Sequence, residues 1–201
     1  MKVFSYEVKA REAYNQYCKK ANGCICVSFP VVIVDYDPRW LLVYEEEKRC
    51  ILGVASNRVL GVEHIGSTSV VSLGAKPIVD IMVGVNGQSD ASALLPLLIE
   101  IGYDNVTRQS GDSEWYYCLS KVIHRQEVWL QNFHLHLIKF RSKTWERHIL
   151  FRDVLRNHPE FAQKYCELKK ILAAKYGVDR ESYANAKSEF IISLVTQTNE
   201  K

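Results

Sequence analysis

A glycine followed by three hydroxyl residues stands where an apolar strand pattern gives way to a short polar turn. Gly66, Ser67, Thr68 and Ser69 follow the run RVLGVEHI at 58–65. The first N–H groups of a helical turn have no partner within the turn, so they can bind phosphate oxygens, and the hydroxyls add further donors. The same residues can also form an ordinary capped turn. The motif alone therefore leaves both interpretations open.

An acidic residue interrupts the next apolar segment, IVDIMVGV at 78–85. Period-2 alternation predicts a strand whose core face is formed by Val79, Ile81, Val83 and Val85. Asp80 falls on the opposite face, between Ile78 and Met82. A buried carboxylate without a partner is costly. We therefore expect Asp80 to meet a metal ion, a cation such as Lys76, or solvent at a cleft.

Two histidines alternate with apolar residues in a later segment, NFHLHLIKF at 132–140. The same alternation assigns Trp129, Phe133, Leu135 and Leu137 to the core face. Asn132, His134 and His136 share the opposite face. Histidines spaced by two on a strand can ligate one metal or bind a phosphate, or they can simply be hydrogen-bonded within the sheet. His64, close to Gly66, is a further candidate for this group.

Two cations are candidate phosphate ligands. Lys76 is predicted to lie in an exposed loop near the hydroxyl turn and can act as a point charge, whereas Arg152 offers two parallel donors. Tyr183 and Lys187 lie one helical turn apart and could form another polar face. For this last pair we expect a solvated surface.

The elements that position these residues alternate between strands and helices. The predicted order is a helix at 38–55, strands at 58–65 and 78–85, a helix at 89–101 that contains Pro96, an antiparallel pair at 113–123 and 127–140, and helices at 144–156, 159–176 and 180–197. This pattern predicts an α/β (α+β) fold with a mixed sheet, flanking helices and a helical C-terminal layer. We expect an N-terminal extension at 1–34 packed on the core, a core at 35–140, and C-terminal helices at 141–201 in the same domain.

The charge of the chain limits the kinds of partner that it is expected to bind. The chain has 201 residues and a formal net charge of +3, which is too small to argue for DNA or membrane binding. Residues 141–201 carry 12 Lys or Arg against 8 Asp or Glu, so a preference for phosphates should depend on the C-terminal helices.

No apolar segment reaches membrane-spanning length and no signal peptide is visible, which predicts a cytoplasmic protein. Nucleic acid is a disfavoured partner because aromatic and basic residues are not interleaved, and the oligomeric state stays open.

Several motifs occur together in one order: YDPRW, VEHIGSTSV, AKPIVDI, HLHLI, FRDVLRNHPE and Tyr-x-x-x-Lys at 183–187. Over residues 35–195 the chain resembles the GrpB family. The resemblance implies a nucleotidyltransferase-like fold, in which a Gly-Ser turn holds a triphosphate and carboxylates on the next strand hold a divalent metal. It also implies a relation to nucleotide or coenzyme A metabolism, because this family occurs fused to dephospho-coenzyme A kinase.

The sequence departs from that pattern at the metal site. Asp80 matches the second of two carboxylates, and Ile78 stands where the first would be. A third carboxylate is not evident, and His134 or His136 occupies that region. Val71-Ser72 also replaces a Pro-Gly pair that usually follows the turn.

The resemblance implies nucleotidyl or phosphoryl transfer from a nucleoside triphosphate to an unknown acceptor. The resemblance matches Gly66, Ser67 and Asp80, and the residue patterns add the others. The expected catalytic residues are Asp80, His134 and His136; the expected phosphate-binding residues are Gly66, Ser67, Thr68, Ser69, Lys76 and Arg152; and the expected metal ligands are Asp80 and His136. Mg²⁺ or Mn²⁺ is the expected ion, with a softer metal as the alternative because histidine takes part. The alternative function is a non-catalytic protein that binds a nucleotide or phosphorylated metabolite at an incomplete metal site.

Overall fold

The computed structural model describes residues 31–108, 115–125 and 129–199. Most of the N-terminal extension predicted at 1–34 lies outside these residues. From Val31 onward the segment is extended: Val31 N–H donates to the Gly177 carbonyl at 2.9 Å, and Val34 and Ala75 exchange two backbone hydrogen bonds. The packing of a whole N-terminal extension on the core stays a prediction.

The described residues contain five α-helices and five strands. In chain order they are α1 (Arg39–Ala55), β1 (Val59–Ile65), β2 (Ile78–Val85), α2 (Gln88–Glu100), β3 (Asp104–Arg108), β4 (Tyr117–Arg125), β5 (Trp129–Lys139), α3 (Lys143–Asn157), α4 (Pro159–Tyr176) and α5 (Arg180–Asn199). A short 3₁₀ turn, Ser67–Ser69, separates β1 from β2. No helix in these ranges has the length and apolar character needed to cross a membrane.

The sheet has the order β1-β2-β5-β4-β3. β2 and β5 run parallel, while the other neighbours are antiparallel. A parallel pair needs a long connection, which here includes α2, β3 and β4. The predicted α/β fold with a mixed sheet is confirmed, as is the antiparallel pairing of β4 with β5.

Strand β3 was not predicted. Its sequence, DNVTR, contains Val and Thr but is short and lacks the apolar alternation that marks the other strands. It lies at the edge of the sheet and pairs with β4 alone. Pairing with a neighbour, rather than local preference, therefore accounts for it.

One face of the sheet packs against α1 and α2. Its centre is the aliphatic set predicted from alternation, and Val79, Ile81, Val83, Val85, Leu135 and Leu137 are all fully buried. Helix α1 contributes Trp40, Tyr44 and Ile51, whereas the adjacent Leu52 is 42% exposed. This core also encloses an ion pair, in which Lys121 Nζ donates to the two carboxylate oxygens of Glu47 at 2.8 and 3.1 Å.

The C-terminal helices form the predicted second layer. Trp145 of α3 packs against Ile65, Met82 and Ile138, on the face of the sheet opposite to the aliphatic core. Further helix residues cover the loop between β1 and β2, where the cluster comprises Val70, Leu73, Val154, Leu155, Tyr165 and Leu194. Asp179 caps the N-terminus of α5, because its Oδ1 accepts a hydrogen bond from Ser182 N–H at 3.0 Å.

Candidate functional site

The hydroxyl turn begins directly beside the acid on the neighbouring strand. Ile65, at the end of β1, is the cross-strand partner of Asp80. Gly66 follows with φ 69° and ψ −173°, a conformation that is essentially restricted to glycine. A Cβ atom at Gly66 would lie only 2.3 Å from Asp80 Oδ2. Gly66 is therefore required to let the carboxylate approach the turn.

Asp80 faces both predicted histidines. Its Oδ1 lies 3.5 Å from His134 Nδ1 and 3.8 Å from His136 Nε2. The parallel register places these residues together, because Asp80 pairs with His134 and Met82 with His136. Burial raises the pKa of Asp80, but the two neighbouring imidazoles outweigh burial and hold that pKa well below its usual range. The carboxylate is thus ionised at neutral pH.

The second ring nitrogen of His136 meets a residue that the sequence reasoning missed. Tyr116 Oη lies 2.5 Å from His136 Nδ1. Burial raises the pKa of Tyr116 above its ordinary value. Alternation through Cys118, whose strand partner is His136, places Tyr116 on the face of Asp80. Extending the period-2 pattern two residues upstream of Cys118 could have found it.

Lys169 supports the turn from helix α4. Its Nζ donates to Ser67 Oγ at 2.8 Å and to the Gly74 carbonyl at 2.5 Å. The side chain is 2% exposed, and this burial lowers the pKa of Lys169 to about 7. In the part of the chain that the structure describes, Lys169 forms no ion pair with a carboxylate. The signal that sequence reasoning overlooked is its place in the buried stripe Tyr165, Lys169, Leu172 of an amphipathic helix.

Lys76 and Lys187 approach the same cleft from a loop and from helix α5. Their Nζ atoms lie 5.4 and 4.5 Å from the centroid of the Tyr183 ring. Burial lowers the pKa of both lysines, to about 8 for Lys187, while the charge of Asp80 opposes the shift in each. Tyr183 is 1% exposed and both lysines are half-buried. The expected solvated surface for Tyr183 and Lys187, and the expected exposure of Lys76, are therefore wrong.

The other hydroxyls of the turn are bonded within the protein. Thr68 Oγ1 donates to the Ile78 carbonyl at 3.2 Å, and Ser69 Oγ donates to the Gly66 carbonyl at 2.7 Å. Both residues are buried, whereas Ser67 is half-buried. These contacts show Thr68 and Ser69 shaping the turn, and Ser67 is its more accessible hydroxyl residue.

His64 does not join the histidine group. It pairs with Ile81, whose side chain belongs to the aliphatic core. Its ring stacks on Tyr44 with centroids 4.6 Å apart, and its Nε2 lies 3.0 Å from Thr68 Oγ1. Burial lowers its pKa to about 4. His64 is thus a neutral support beneath the turn.

Arg152 is occupied by protein partners. Its Nη1 donates to Glu63 Oε2 at 2.6 Å and to the His64 carbonyl at 3.2 Å, and its Nε donates to Asp153 Oδ1 at 2.7 Å. Two carboxylates already satisfy this guanidinium. These contacts tie α3 to β1 and do not support the predicted role of Arg152 as a phosphate ligand.

The residues present do not fit the oxygen-rich site that Mg²⁺ or Mn²⁺ prefers. Asp80 supplies the second of the two implied carboxylates, and Ile78 stands where the first would be. Within residues 31–108, 115–125 and 129–199, no group of three or more His, Cys, Asp and Glu side chains is arranged to hold a metal ion. The metal roles predicted for Asp80 and His136 therefore enter no step of the function proposed below.

Comparison with known proteins identifies the family. The family model described as GrpB protein matches residues 30–197. The chain belongs to the GrpB family. It is 30% identical over 168 residues to the glutamate-rich protein GrpB of Alkalihalophilus pseudofirmus, covering 83% of this chain and 95% of that protein. The crystal structure of the conserved protein GrpB from Enterococcus faecalis has a TM-score of 0.68 and 32% identity, covering 83% of this chain and 96% of that one.

A further relative is a dephospho-CoA kinase of Mycobacterium leprae. It is 25% identical to this GrpB family member over 201 residues, covering 90% of this chain and 48% of that protein. The resemblance predicted from the motifs, including its relation to this kinase, is confirmed.

Proposed function

We propose that this GrpB family member binds the phosphate groups of a nucleoside triphosphate, or of another phosphorylated metabolite, between the Gly66–Ser67 turn and helices α4 and α5. The observation that carries this proposal is the approach of Lys76, Lys169 and Lys187 to one cleft without a carboxylate ion pair in the described part of the chain. Burial of an ammonium group is costly unless an anion offsets it. Phosphate oxygens would supply that anion.

The three lysines have different tasks in this proposal. Lys169 is almost fully buried behind the turn, so it fixes the Ser67 hydroxyl and does not itself reach a ligand. Lys76 and Lys187 are half-buried and can contact phosphate oxygens directly. Charge on a bound phosphate would favour the protonated form of both and raise their lowered pKa values.

The Asp80 group favours a second candidate, nucleotidyl or phosphoryl transfer to an acceptor hydroxyl. The side chains of Asp80 and His134 are 28% and 37% exposed, so an acceptor can reach them from the cleft. An imidazole beside a carboxylate can take the proton of an attacking hydroxyl. Ile78 in place of a carboxylate makes non-catalytic binding of the phosphorylated ligand the alternative.

Titration calorimetry tests the binding proposal. ATP, GTP, pyrophosphate and AMP would be titrated separately, each with Mg²⁺, with Mn²⁺ and with EDTA. Loss of a hydrogen bond to a charged group costs about 1.5–3 kcal/mol, so Lys187→Gln should weaken ATP binding by roughly tenfold or more. The matched control is Lys175→Gln, which removes an exposed lysine from α4.

We expect ATP and pyrophosphate to bind more tightly than AMP, and Lys175→Gln to bind like the wild type. Failure of every phosphate compound to bind at millimolar concentration would contradict the proposal. An equal loss of affinity in both variants would do the same, because it would reflect net charge rather than the cleft.

A further inference from the structure

Tyr116, His136 and Asp80 form a continuous chain of polar contacts that phosphate binding does not use. Tyr116 Oη lies 2.5 Å from His136 Nδ1, and His136 Nε2 lies 3.8 Å from Asp80 Oδ1. The acid–imidazole–hydroxyl order is that of an activated nucleophile, in which a base touches the nucleophile and a third group orients the base. Both ring nitrogens of His136 face this chain, so the phenol is the hydroxyl from which His136 can accept a proton.

We propose that Tyr116 is a nucleophile that takes a nucleotidyl group from the bound nucleoside triphosphate, so that this protein modifies itself at Tyr116. This inference rests on the proposed function, because it needs a triphosphate held at the Gly66–Ser67 turn. Asp80 connects the two parts of the site: its Oδ2 lies against Gly66, and its Oδ1 faces His136. A triphosphate at the turn therefore has its phosphates beside the same carboxylate that orients the base.

The reaction is a single displacement at phosphorus. His136 Nδ1 takes the phenolic proton as Tyr116 Oη attacks the α-phosphorus and an O–P bond forms. The bond from the α-phosphorus to the bridging oxygen breaks, and its electron pair leaves with pyrophosphate. Asp80 stabilises the imidazolium that results. An ordinary phenol is protonated at neutral pH, so a base in contact with it is needed, and His136 Nδ1 makes that contact.

The neighbouring Tyr117 provides a matched control. Its strand partner is Leu137, a residue of the aliphatic core, so it lies on the opposite face from Tyr116. Its ring stacks with Trp115 at a centroid distance of 6.2 Å. Tyr116→Phe and Tyr117→Phe each remove one hydroxyl from adjacent, half-buried tyrosines, and the proposal concerns the first alone.

The test measures covalent modification directly. Purified protein would be incubated with each of the four common ribonucleoside triphosphates, with Mg²⁺, with Mn²⁺ and with EDTA, and then examined by intact-mass and peptide mass spectrometry. We expect a mass gain of one nucleoside monophosphate unit on the peptide that contains Tyr116. The adduct should vanish in Tyr116→Phe and persist in Tyr117→Phe. His136→Asn should slow its formation by about a hundredfold or more, the usual contribution of a general base.

Calorimetry on the same samples separates the two proposals. If the triphosphate binds but no adduct forms on Tyr116, the self-modification is disproved and phosphate binding stands. If nothing binds, both proposals fail. An adduct that survives in Tyr116→Phe would also overturn the assignment, provided that thermal unfolding shows the variant to be folded.

Discussion

Lys121 and Lys169 are both almost completely buried, but their surroundings differ. Lys121 lies in the aliphatic core under α1 and donates to both oxygens of the Glu47 carboxylate. Lys169 lies behind the Gly66–Ser67 turn, and it donates to a hydroxyl and a backbone carbonyl, neither of which carries charge. A buried lysine that has its own counter-ion completes a core. A buried lysine that lacks one among the described residues, as Lys169 does, holds the Ser67 hydroxyl beside the proposed phosphate site instead.

The largest effect is expected when the amine of Lys121 is removed, because this tests whether the Glu47–Lys121 ion pair stabilises the core. Lys121→Met leaves the Glu47 carboxylate buried without its partner, which typically costs about 3–5 kcal/mol. We expect that loss in the free energy of unfolding, measured by urea denaturation. The folded variant should keep the wild-type affinity for ATP.

The double variant Glu47→Leu/Lys121→Met is the control for that experiment. It removes both charges, so most of the lost stability should return. A double variant as unstable as Lys121→Met alone would show that packing, and not the stranded carboxylate, caused the loss.

Replacing Lys169 by Met should instead lower the affinity for ATP, with a smaller loss of stability than Lys121→Met. Lys169→Met strands no charge, and the loss of its hydrogen bonds should change the free energy of unfolding by no more than about 1–3 kcal/mol. ATP affinity should fall by roughly tenfold, equivalent to about 1.4 kcal/mol, because Ser67 loses the donor that fixes it. Calorimetry and urea denaturation on the same preparation measure both quantities.

Lys170→Met is the matched control, since Lys170 is the exposed neighbour on the same helix. It should leave both quantities near their wild-type values. The comparison fails if Lys169→Met destabilises the fold as strongly as Lys121→Met while leaving ATP affinity unchanged.

The smallest expected effect is a pH dependence carried by Lys169. Its pKa in the folded chain is about 7, below the ordinary lysine value, because burial disfavours the charged form. Between these two values the unfolded state binds more protons, so stability rises with pH. The unfolding free energy of the wild type relative to Lys169→Met should therefore increase by about 1 kcal/mol from pH 7 to pH 8.

Urea denaturation of the two proteins at several pH values in this interval measures that difference. Cys166, Lys187, Asp80 and Lys76 also act on Lys169, and all four are present in both proteins. A wild-type curve that runs parallel to that of Lys169→Met would contradict a lowered pKa at this lysine.

Alternation along the strands was sufficient to predict the acidic and histidine residues of the site. It assigned Asp80, His134 and His136 to polar faces before their strands were known to be neighbours, and the structure joins them. It did not reveal that β5 lies beside β2, because strand order depends on contacts between distant segments. The edge strand β3 was missed for the same reason.

The cationic half of the site could not be found from local pattern alone. A lysine within an amphipathic helix is usually solvated, and only packing against the β1–β2 loop shows that Lys169 is buried. Tyr116 lies within the strand predicted at 113–123, but the apolar pattern of that strand says nothing about Tyr116. The role of Tyr116 depends on one contact with His136. In both cases a distant segment determines what the side chain does.

Strand β2 pairs with β5, which comes much later in the chain, so the site is completed in stages during synthesis. The acid emerges from the ribosome before either imidazole, and the last of the three lysines follows in α5, near the end of the described chain. A nascent chain thus carries an incomplete pocket until α5 has been synthesised. Affinity for phosphates should be acquired only after α5 has left the ribosome.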